Sequence, residues 1–273
     1  MKVIFVDIDG TLYDHVNKTI PESALVAIKK AREKGHKVFV CTGRALSQST
    51  LFINLNFDGY IFCAGTVVYA DKKLLYKKPI ELDEVNRLIK FFDENEIKFS
   101  LEGDFGTYCS KNSIDHLKKY FCDEDLNEEE TMKELNKNGI FSLSYWDNRD
   151  QISKMCTYGK QMEDFDAIYE HIKDYNLTIS LADEERGLYA VELTLKNHNK
   201  SIAAKKVLDY YGLGYEDAIA IGDSDNDFEI IRDCGIGIAM GNAHPKELEI
   251  ADYITDNIEN DGVYNAFKHF DLI

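Results

Sequence analysis

The sequence predicts an α/β fold: a Rossmann-like parallel sheet with helices on both faces, interrupted by an inserted α+β cap domain. In residues 1–80 and again in 190–273, short apolar runs alternate with helical patterns. These runs are almost continuously apolar, as is typical of parallel strands covered on both faces. Residues 81–189 instead carry acidic, lysine-rich helices and more isolated strands. We therefore expect a discontinuous core, 1–80 with 190–273, and an insert at 81–189.

The elements of the core follow from apolar runs and from helix boundary signals. The first strand is predicted at residues 2–6, and the helix after it opens near Thr19 and Pro21 and stops at Gly35. The remaining predictions are strands at 37–41 and 60–63, an insert with a helix at 82–96 and strands at 97–101 and 151–158, a helix at 200–211, strands at 218–221 and 235–239, and a closing helical stretch. Parallel sheets bind ligands at the carboxyl ends of their strands, so the residues that follow these strands are the candidates for a site.

Composition excludes some partners. The net charge of −17 repels polyanions on average, so nucleic acid is not an expected partner. A small anionic substrate would need a local cluster of metal ion, lysine and backbone amides. Only four apolar residues precede Asp7, too few for a signal-peptide core, and no apolar run approaches a membrane span. We expect a cytoplasmic protein without a membrane partner, as a monomer or small homo-oligomer.

Two carboxylates follow the first predicted strand. Residues 7–11 read DIDGT, which places Asp7 and Asp9 at i and i+2 on roughly one side of the chain. The alternative is a solvated turn, because Asp-Gly is a common turn pair. The apolar strand directly before the motif favours a site.

A second acidic cluster follows the predicted strand at 218–221. Residues 222–227 read GDSDND, with acids at Asp223, Asp225 and Asp227. A calcium-binding EF-hand would require glycine and glutamate where Phe228 and Cys234 stand, so that reading fails. Capping of a helix by Asp225 or Asp227 is a structural alternative that explains one or two of the acids.

These clusters together indicate a metal site. If both strands are central in one parallel sheet, Asp7, Asp9 and Asp223 meet at one edge, where their charges repel unless a hard cation lies between them. Mg²⁺ suits a few oxygen ligands completed by water and a substrate phosphate.

Phosphate ligands are sought in the same way. Residues 42–44 (TGR) follow a strand and offer the Thr42 hydroxyl and backbone amides at a predicted helix start, although an ordinary threonine cap explains them equally well. Lys200 opens a predicted helix, where its charge opposes the helix dipole unless an anion is near. The alternative is that Lys200 is an ordinary surface lysine without a role in a site. Arg44 and Glu192 could contact a substrate or form structural salt bridges.

The motifs 7–12 (DIDGTL), 42–44, Lys200 and 222–227 resemble, in order, the four motifs of the haloacid dehalogenase superfamily. Residues 239–243 (AMGNA) and 255–263 (TDNIENDGV) are similar to the tail of its Cof-like phosphatases, and the insert resembles their large α/β (C2-type) cap. The sequence departs from that pattern at Ala64, where the subfamily usually has asparagine, and around Lys200, where glycine is more usual after the lysine.

The resemblance implies a Mg²⁺-dependent phosphatase that acts on a small phosphate monoester, such as a sugar phosphate, through an aspartyl-phosphate. It implies that Asp7 is the nucleophile and Asp9 the acid and base. The implied metal ligands are Asp7, Asp9, Asp223 and Asp227. The residues implied to bind substrate or phosphate are Thr42, Gly43, Arg44, Lys200 and Asn226. A sugar phosphomutase and a non-enzymatic phosphometabolite sensor are the alternatives.

Overall fold

The computed structural model describes residues 1–55, 57–122, 126–185 and 188–273. It has the predicted α/β class, with large sheets flanked by helices. The chain divides into two compact units. We call Met1–Gly43, Leu51–Lys77 and His198–Ile273 the core unit, and Arg44–Thr50 with Lys78–Asn197 the inserted unit.

The strands are β1 Val3–Val6, β2 Lys37–Cys41, β3 Gly59–Phe62, β4 Val67–Ala70, β5 Lys73–Lys77, β6 Lys98–Glu102, β7 Thr107–Cys109, β8 Ile140–Ser142, β9 Lys154–Gly159, β10 Leu177–Glu185, β11 Leu188–Leu195, β12 Ala218–Gly222, β13 Ile236–Ala239 and β14 Tyr253–Ile254. The helices are α1 Glu22–Glu33, α2 Thr50–Ile53, α3 Leu82–Glu94, α4 Ile114–Phe121, α5 Glu128–Lys137, α6 Asp166–His171, α7 Lys200–Tyr211, α8 Phe228–Asp233, α9 Pro245–Ile250 and α10 Gly262–His269. Short 3₁₀ turns connect several of them.

The core sheet has the strand order β14-β13-β12-β1-β2-β3-β4-β5. Its strands are parallel from β14 to β3, and the β4–β5 hairpin adds an antiparallel edge. Both faces of β1 are buried: Ile4 and Val6 pack in one cluster with residues of α1 and α10, whereas Val3 and Phe5 pack in another with residues of α7. This two-sided burial is the reason that β1 is a continuous apolar run.

The inserted unit contains a second sheet, with the order β10-β11-β9-β6-β7-β8. The pairing is antiparallel except between β7 and β8. Phe99, Leu101 and Met155 pack in one apolar cluster with residues of α3 and α6. The unit differs from the expected insert, 81–189, because β11 pairs with β9 and β10 and therefore extends the unit to Asn197, and because residues 44–50 also belong to it.

All six cysteines are free thiols. None of the helices in the described part of the chain combines the length and apolar character needed to cross a membrane.

Candidate active site

Three strand ends meet at one edge of the core sheet. Asp7 directly follows β1, Asp223 follows β12 and Thr42 follows β2, and β1 lies between the other two strands. Val6 is in register with Ile221 on one side and Val40 on the other. These parallel registers bring the residues after each strand together.

An acidic group lies at this edge. One carboxylate oxygen from each of Asp7, Asp223 and Asp227 falls within 4.8 Å of the others. Asp7 and Asp227 are buried, with 4% and 1% of their surface exposed. Carboxylates this close and this shielded require a compensating positive charge.

Lys200 supplies part of that charge. Its fully buried Nζ donates hydrogen bonds of 2.6 Å to Asp7 Oδ1 and 2.6 Å to Asp227 Oδ1. The lysine begins α7, and Asn199 caps that helix by accepting from the Ile202 N–H at 2.8 Å. Burial disfavours the ammonium, but Asp227 and Asp7 outweigh it and hold the pKa of Lys200 above its usual value. Lys200 is therefore a permanent cation in this site.

The pKa values of two of the acids are raised as well, which for a carboxyl group favours the neutral form. Burial raises the pKa of Asp7 well above its usual value, and Asp227 adds to this effect while Lys200 opposes it. Burial and Asp227 raise the pKa of Asp223 from 3.8 to about 7, although the Thr11 hydroxyl, which donates to Asp223 Oδ1 at 3.0 Å, lowers it. The site without a metal thus favours protonation of acids that a cation would otherwise keep ionised.

Asp227 also has a structural role. Its Oδ2 accepts the backbone N–H of Asp223 at 3.2 Å and that of Ser224 at 3.4 Å, at the start of the 3₁₀ turn Asp225–Asp227. Asp227 is thus the third-position acid of a capping box whose N-cap is Ser224, and its side chain makes no cap hydrogen bond to α8. The capping alternative raised by the sequence is therefore only partly correct, and the same carboxylate also contacts Lys200.

The loop after β1 holds Asp9 and contains contacts that sequence patterns did not reveal. His15 Nε2 lies 2.7 Å from Asp9 Oδ1. Asn242 Nδ2 donates to the Gly10 carbonyl at 2.8 Å, and its Oδ1 accepts the Ile258 N–H at 3.1 Å. No spacing rule links these residues to the motif. The one sequence feature that pointed to Asn242 is its position in the AMGNA segment, residues 239–243.

The loop after β2 is held by backbone contacts. Thr42 is buried. Its N–H donates to the Ile61 carbonyl at 2.8 Å, and its own carbonyl accepts the Ala64 N–H at 3.0 Å. A Cβ at Gly43 would lie 3.3 Å from Asn226 Nδ2, so these two predicted residues are neighbours. Ala64 adopts φ 49, a left-handed conformation in which the asparagine usual at this position is better tolerated.

The predicted helix start at Thr42 is wrong, because the next helical element is the 3₁₀ turn Leu46–Gln48, which follows an extended Ala45. Arg44 lies in the inserted unit.

Glu192, which the sequence left between two roles, lies in a buried ion-pair cluster of the inserted unit. Its Oε1 accepts from Lys154 Nζ at 2.5 Å, and Lys154 also lies 3.1 Å from Glu102 Oε2. The structural salt-bridge alternative therefore describes Glu192.

Gly10 permits the close approach of the two acidic loops, and its replacement should weaken the site. It has φ +79, and a Cβ there would lie 2.2 Å from Asp223 Oδ2. We expect Gly10→Ala to cost about 1–2 kcal/mol of stability from backbone strain and to lower divalent-metal affinity about tenfold by displacing Asp223. Denaturant unfolding and metal titration by calorimetry measure the two effects.

Gly35→Ala is the matched control for Gly10→Ala. Gly35 has φ +87, but a Cβ there meets nothing within 4 Å. It should therefore reproduce the strain without changing metal affinity. Equal metal affinities for Gly10→Ala and Gly35→Ala would contradict the expected displacement of Asp223 by the added Cβ.

The fold and site define an α/β protein with acids at the ends of central parallel strands and a buried lysine, at the start of α7, that contacts two of them. The chain belongs to the haloacid dehalogenase-like hydrolase family, whose profile matches residues 4–267. The family resemblance and the prediction of a phosphatase are thereby confirmed.

Named relatives agree with this assignment, and a solved structure agrees with the fold. The chain is 28% identical to the 5-amino-6-(5-phospho-D-ribitylamino)uracil phosphatase YitU of Bacillus subtilis, over 98% of this chain and 97% of that protein. It is 27% identical to a phosphoglycolate phosphatase of Methanothermobacter thermautotrophicus, over 99% of each. A solved subclass IIB sugar phosphatase of the superfamily matches with a TM-score of 0.79 and 24% identity, over 100% of both chains, which bears on the fold.

Proposed function

We propose that this phosphatase uses Mg²⁺ to hydrolyse a small phosphate monoester through an aspartyl-phosphate on Asp7. The observation that carries the proposal is the buried Asp7 carboxylate, which lies 2.6 Å from the Lys200 ammonium and shares an acidic group with Asp223 and Asp227. An acid fixed at a strand end beside a permanent cation is positioned to meet an anionic phosphoryl group.

The donor set fits Mg²⁺. Asp7, Asp223 and Asp227 offer only carboxylate oxygens, and one lysine cannot balance the three charges. The Asp9 carbonyl is the further ligand implied by the resemblance. When bound, Mg²⁺ would neutralise negative charge on the carboxylates and on the phosphate.

The chain's own residues perform the remaining steps. An Asp7 oxygen attacks phosphorus as the bond to the leaving oxygen breaks, and Asp9 donates a proton to that oxygen. Asp9 then takes a proton from the water that attacks the aspartyl-phosphate, which releases phosphate and restores Asp7. His15, 2.7 Å from Asp9, is positioned to orient its carboxyl group.

The phosphoryl oxygens have other partners. These oxygens would be held by Lys200, the Thr42 hydroxyl and the Gly43 amide. Asn226, whose side chain lies next to Gly43, would help to orient the loop after β2. These donors stabilise the charge that develops during transfer. Arg44 remains a candidate for contact with the substrate.

Two relatives support the substrate class that we propose. The two named above act on 5-amino-6-(5-phospho-D-ribitylamino)uracil and phosphoglycolate, both small phosphorylated metabolites. We propose a sugar phosphate or a similar metabolite, selected by the inserted unit acting as a cap.

Phosphate release tests the proposal. Purified protein with Mg²⁺ should release phosphate from an aryl phosphate and, faster, from one member of a panel of sugar, nucleotide and cofactor phosphates. Chelation of the metal should abolish release, and added Mg²⁺ should restore it. A phosphomutase would instead require a bisphosphate activator and release little phosphate, and that outcome would overturn the hydrolase proposal.

The raised pKa of Asp223, about 7, predicts a pH effect. Between pH 3.8 and 7 the folded, metal-free protein retains a proton on Asp223 that the unfolded chain has lost, so its stability should fall as the pH rises through this window. The raised pKa of Asp7 acts in the same direction. Because Mg²⁺ competes with the proton on Asp223, this group should raise Mg²⁺ affinity by up to about tenfold per pH unit up to a pH of about 7.

Calorimetric Mg²⁺ titrations and urea unfolding in chelator, both from pH 5 to 8.5, measure these effects. Asp223→Asn is the control, because it removes one of the two titrating acids and should reduce the decline of metal-free stability to the part that Asp7 contributes. Mg²⁺ affinity that does not change below pH 7 in the wild type would contradict the prediction.

A further inference from the structure

A second group of metal-ligating side chains lies in the core unit outside the acids already described. One ligand atom from each of Asp225, His244 and Glu247 falls within 4.8 Å of the others. We call these three residues the outer cluster. Asp225 and His244 have exposed side chains, whereas Glu247 is completely buried. The group therefore joins a buried carboxylate to two ligands that solvent can reach.

Glu247 is the unusual member of the outer cluster. Both of its carboxylate oxygens are shielded from solvent, and neither has a hydrogen-bond partner among the described residues. An isolated buried carboxylate is strongly disfavoured, because burial removes its hydration without replacing it. Asp225 and His244 each place a ligand atom close to this carboxylate, so a cation bound among the three residues would satisfy Glu247.

The ligand types separate this group from the catalytic acids. Asp7, Asp223 and Asp227 offer only oxygen, the preference of Mg²⁺, whereas the outer cluster adds an imidazole nitrogen. Imidazole with carboxylates suits Zn²⁺ and similar transition-metal ions, and three protein ligands leave a fourth position for water. Ligands about 2.1 Å from a tetrahedral ion lie roughly 3.4 Å apart, so shifts of about 1 Å would close the site. The exposed side chains of Asp225 and His244 can make such shifts.

We propose that Asp225, His244 and Glu247 bind a transition-metal ion of the Zn²⁺ type, separate from the catalytic Mg²⁺. The ion would hold the loop that carries Asp223 and Asp227. Asp225 belongs to the same 3₁₀ turn as Asp227, and the His244 N–H donates to the Asp223 carbonyl at 2.9 Å. The proposal does not depend on the proposed reaction, because it concerns different ligand atoms.

Two local contacts compete with the ion. Lys246 Nζ lies 3.2 Å from Asp225 Oδ2, and His244 Nδ1 lies 3.6 Å from Asp225 Oδ1. Lys246 is therefore the cation that balances Asp225 when no metal is bound. The proposed ion would weaken the Lys246 contact, so Lys246→Ala should tighten binding.

Calorimetric titration of the full chain with Zn²⁺, in excess Mg²⁺ that fills the catalytic site, tests the proposal. We expect one Zn²⁺ per wild-type chain, with affinity at least tenfold lower in His244→Asn and in Glu247→Gln. Titration with Co²⁺ should give visible absorption bands that His244→Asn removes. Because His244 is exposed, its variant should fold even if Glu247→Gln does not.

His269→Asn is the matched control, because His269 is another exposed histidine of the core unit that is not part of either acidic group. It should leave Zn²⁺ binding unchanged. Wild-type affinity in His244→Asn, or no Zn²⁺ bound once Mg²⁺ is in excess, would overturn the proposal. Phosphatase activity is not the readout, so a failure here leaves the proposed reaction untouched, and the reverse is also true.

Discussion

Replacing Asp7 with asparagine should lower phosphate release by about 10³-fold or more while the protein stays folded. The amide keeps the size of the side chain but cannot act as the nucleophile. Lys200 retains its 2.6 Å contact with Asp227, so the buried ammonium keeps one carboxylate partner. Because burial and Asp227 raise the pKa of Asp7, removing this acid relieves part of the repulsion within the site. Folding should therefore survive a change that stops the chemistry.

Initial rates of phosphate release at saturating Mg²⁺, together with circular dichroism melting, measure the two effects of Asp7→Asn. Asp209→Asn is the control, since Asp209 is an exposed acid on α7 that pairs with Lys205. It should retain wild-type turnover. Wild-type turnover in Asp7→Asn would remove Asp7 from the proposed mechanism.

The parallel core was predictable because its strands are buried on both faces. The continuous apolar runs of β1 and β12 mark such strands, and acids directly after them must lie at the sheet edge. The β4–β5 hairpin was not predicted, because it lacks both of the usual sequence signals. Its turn uses Asp71 and Lys72 at φ 47 and 64 in place of the Asn-Gly pair that usually marks such turns, and β5 is an exposed edge strand.

The contacts that complete the site could not be read from the sequence, because they join residues far apart in the chain. Lys200 and Asp7 are 193 positions apart, and neither helix period nor strand alternation encodes their pairing. Taken alone in the sequence, Lys200 is equally compatible with a surface position, whereas the structure buries it completely. Glu247 shows the same limit, since its burial without a partner depends on how α9 packs and not on its neighbours in sequence.

Replacing Lys200 with methionine should destabilise the metal-free protein and make its stability depend strongly on Mg²⁺. The substitution fills the space but leaves Asp7 and Asp227 buried without their shared cation. Breaking a buried pair in this way costs roughly 3–5 kcal/mol. Mg²⁺ binds the remaining acidic group only in the folded state, so it should restore part of this loss in proportion to its concentration. Turnover should stay at least about 100-fold below wild type even at saturating Mg²⁺, because a donor to the phosphoryl oxygens is lost.

Urea unfolding in chelator and in increasing Mg²⁺ measures the effect of Lys200→Met, and Lys205→Met provides the comparison. Lys205 lies on the same helix and pairs with Asp209, but its side chain is 44% exposed, so its loss should cost less than about 1 kcal/mol and should not respond to Mg²⁺. A Lys200→Met protein as stable as Lys205→Met in chelator would mean that the buried acids do not need Lys200. The difference between the two variants therefore isolates the charge balance that positions Asp7 for attack.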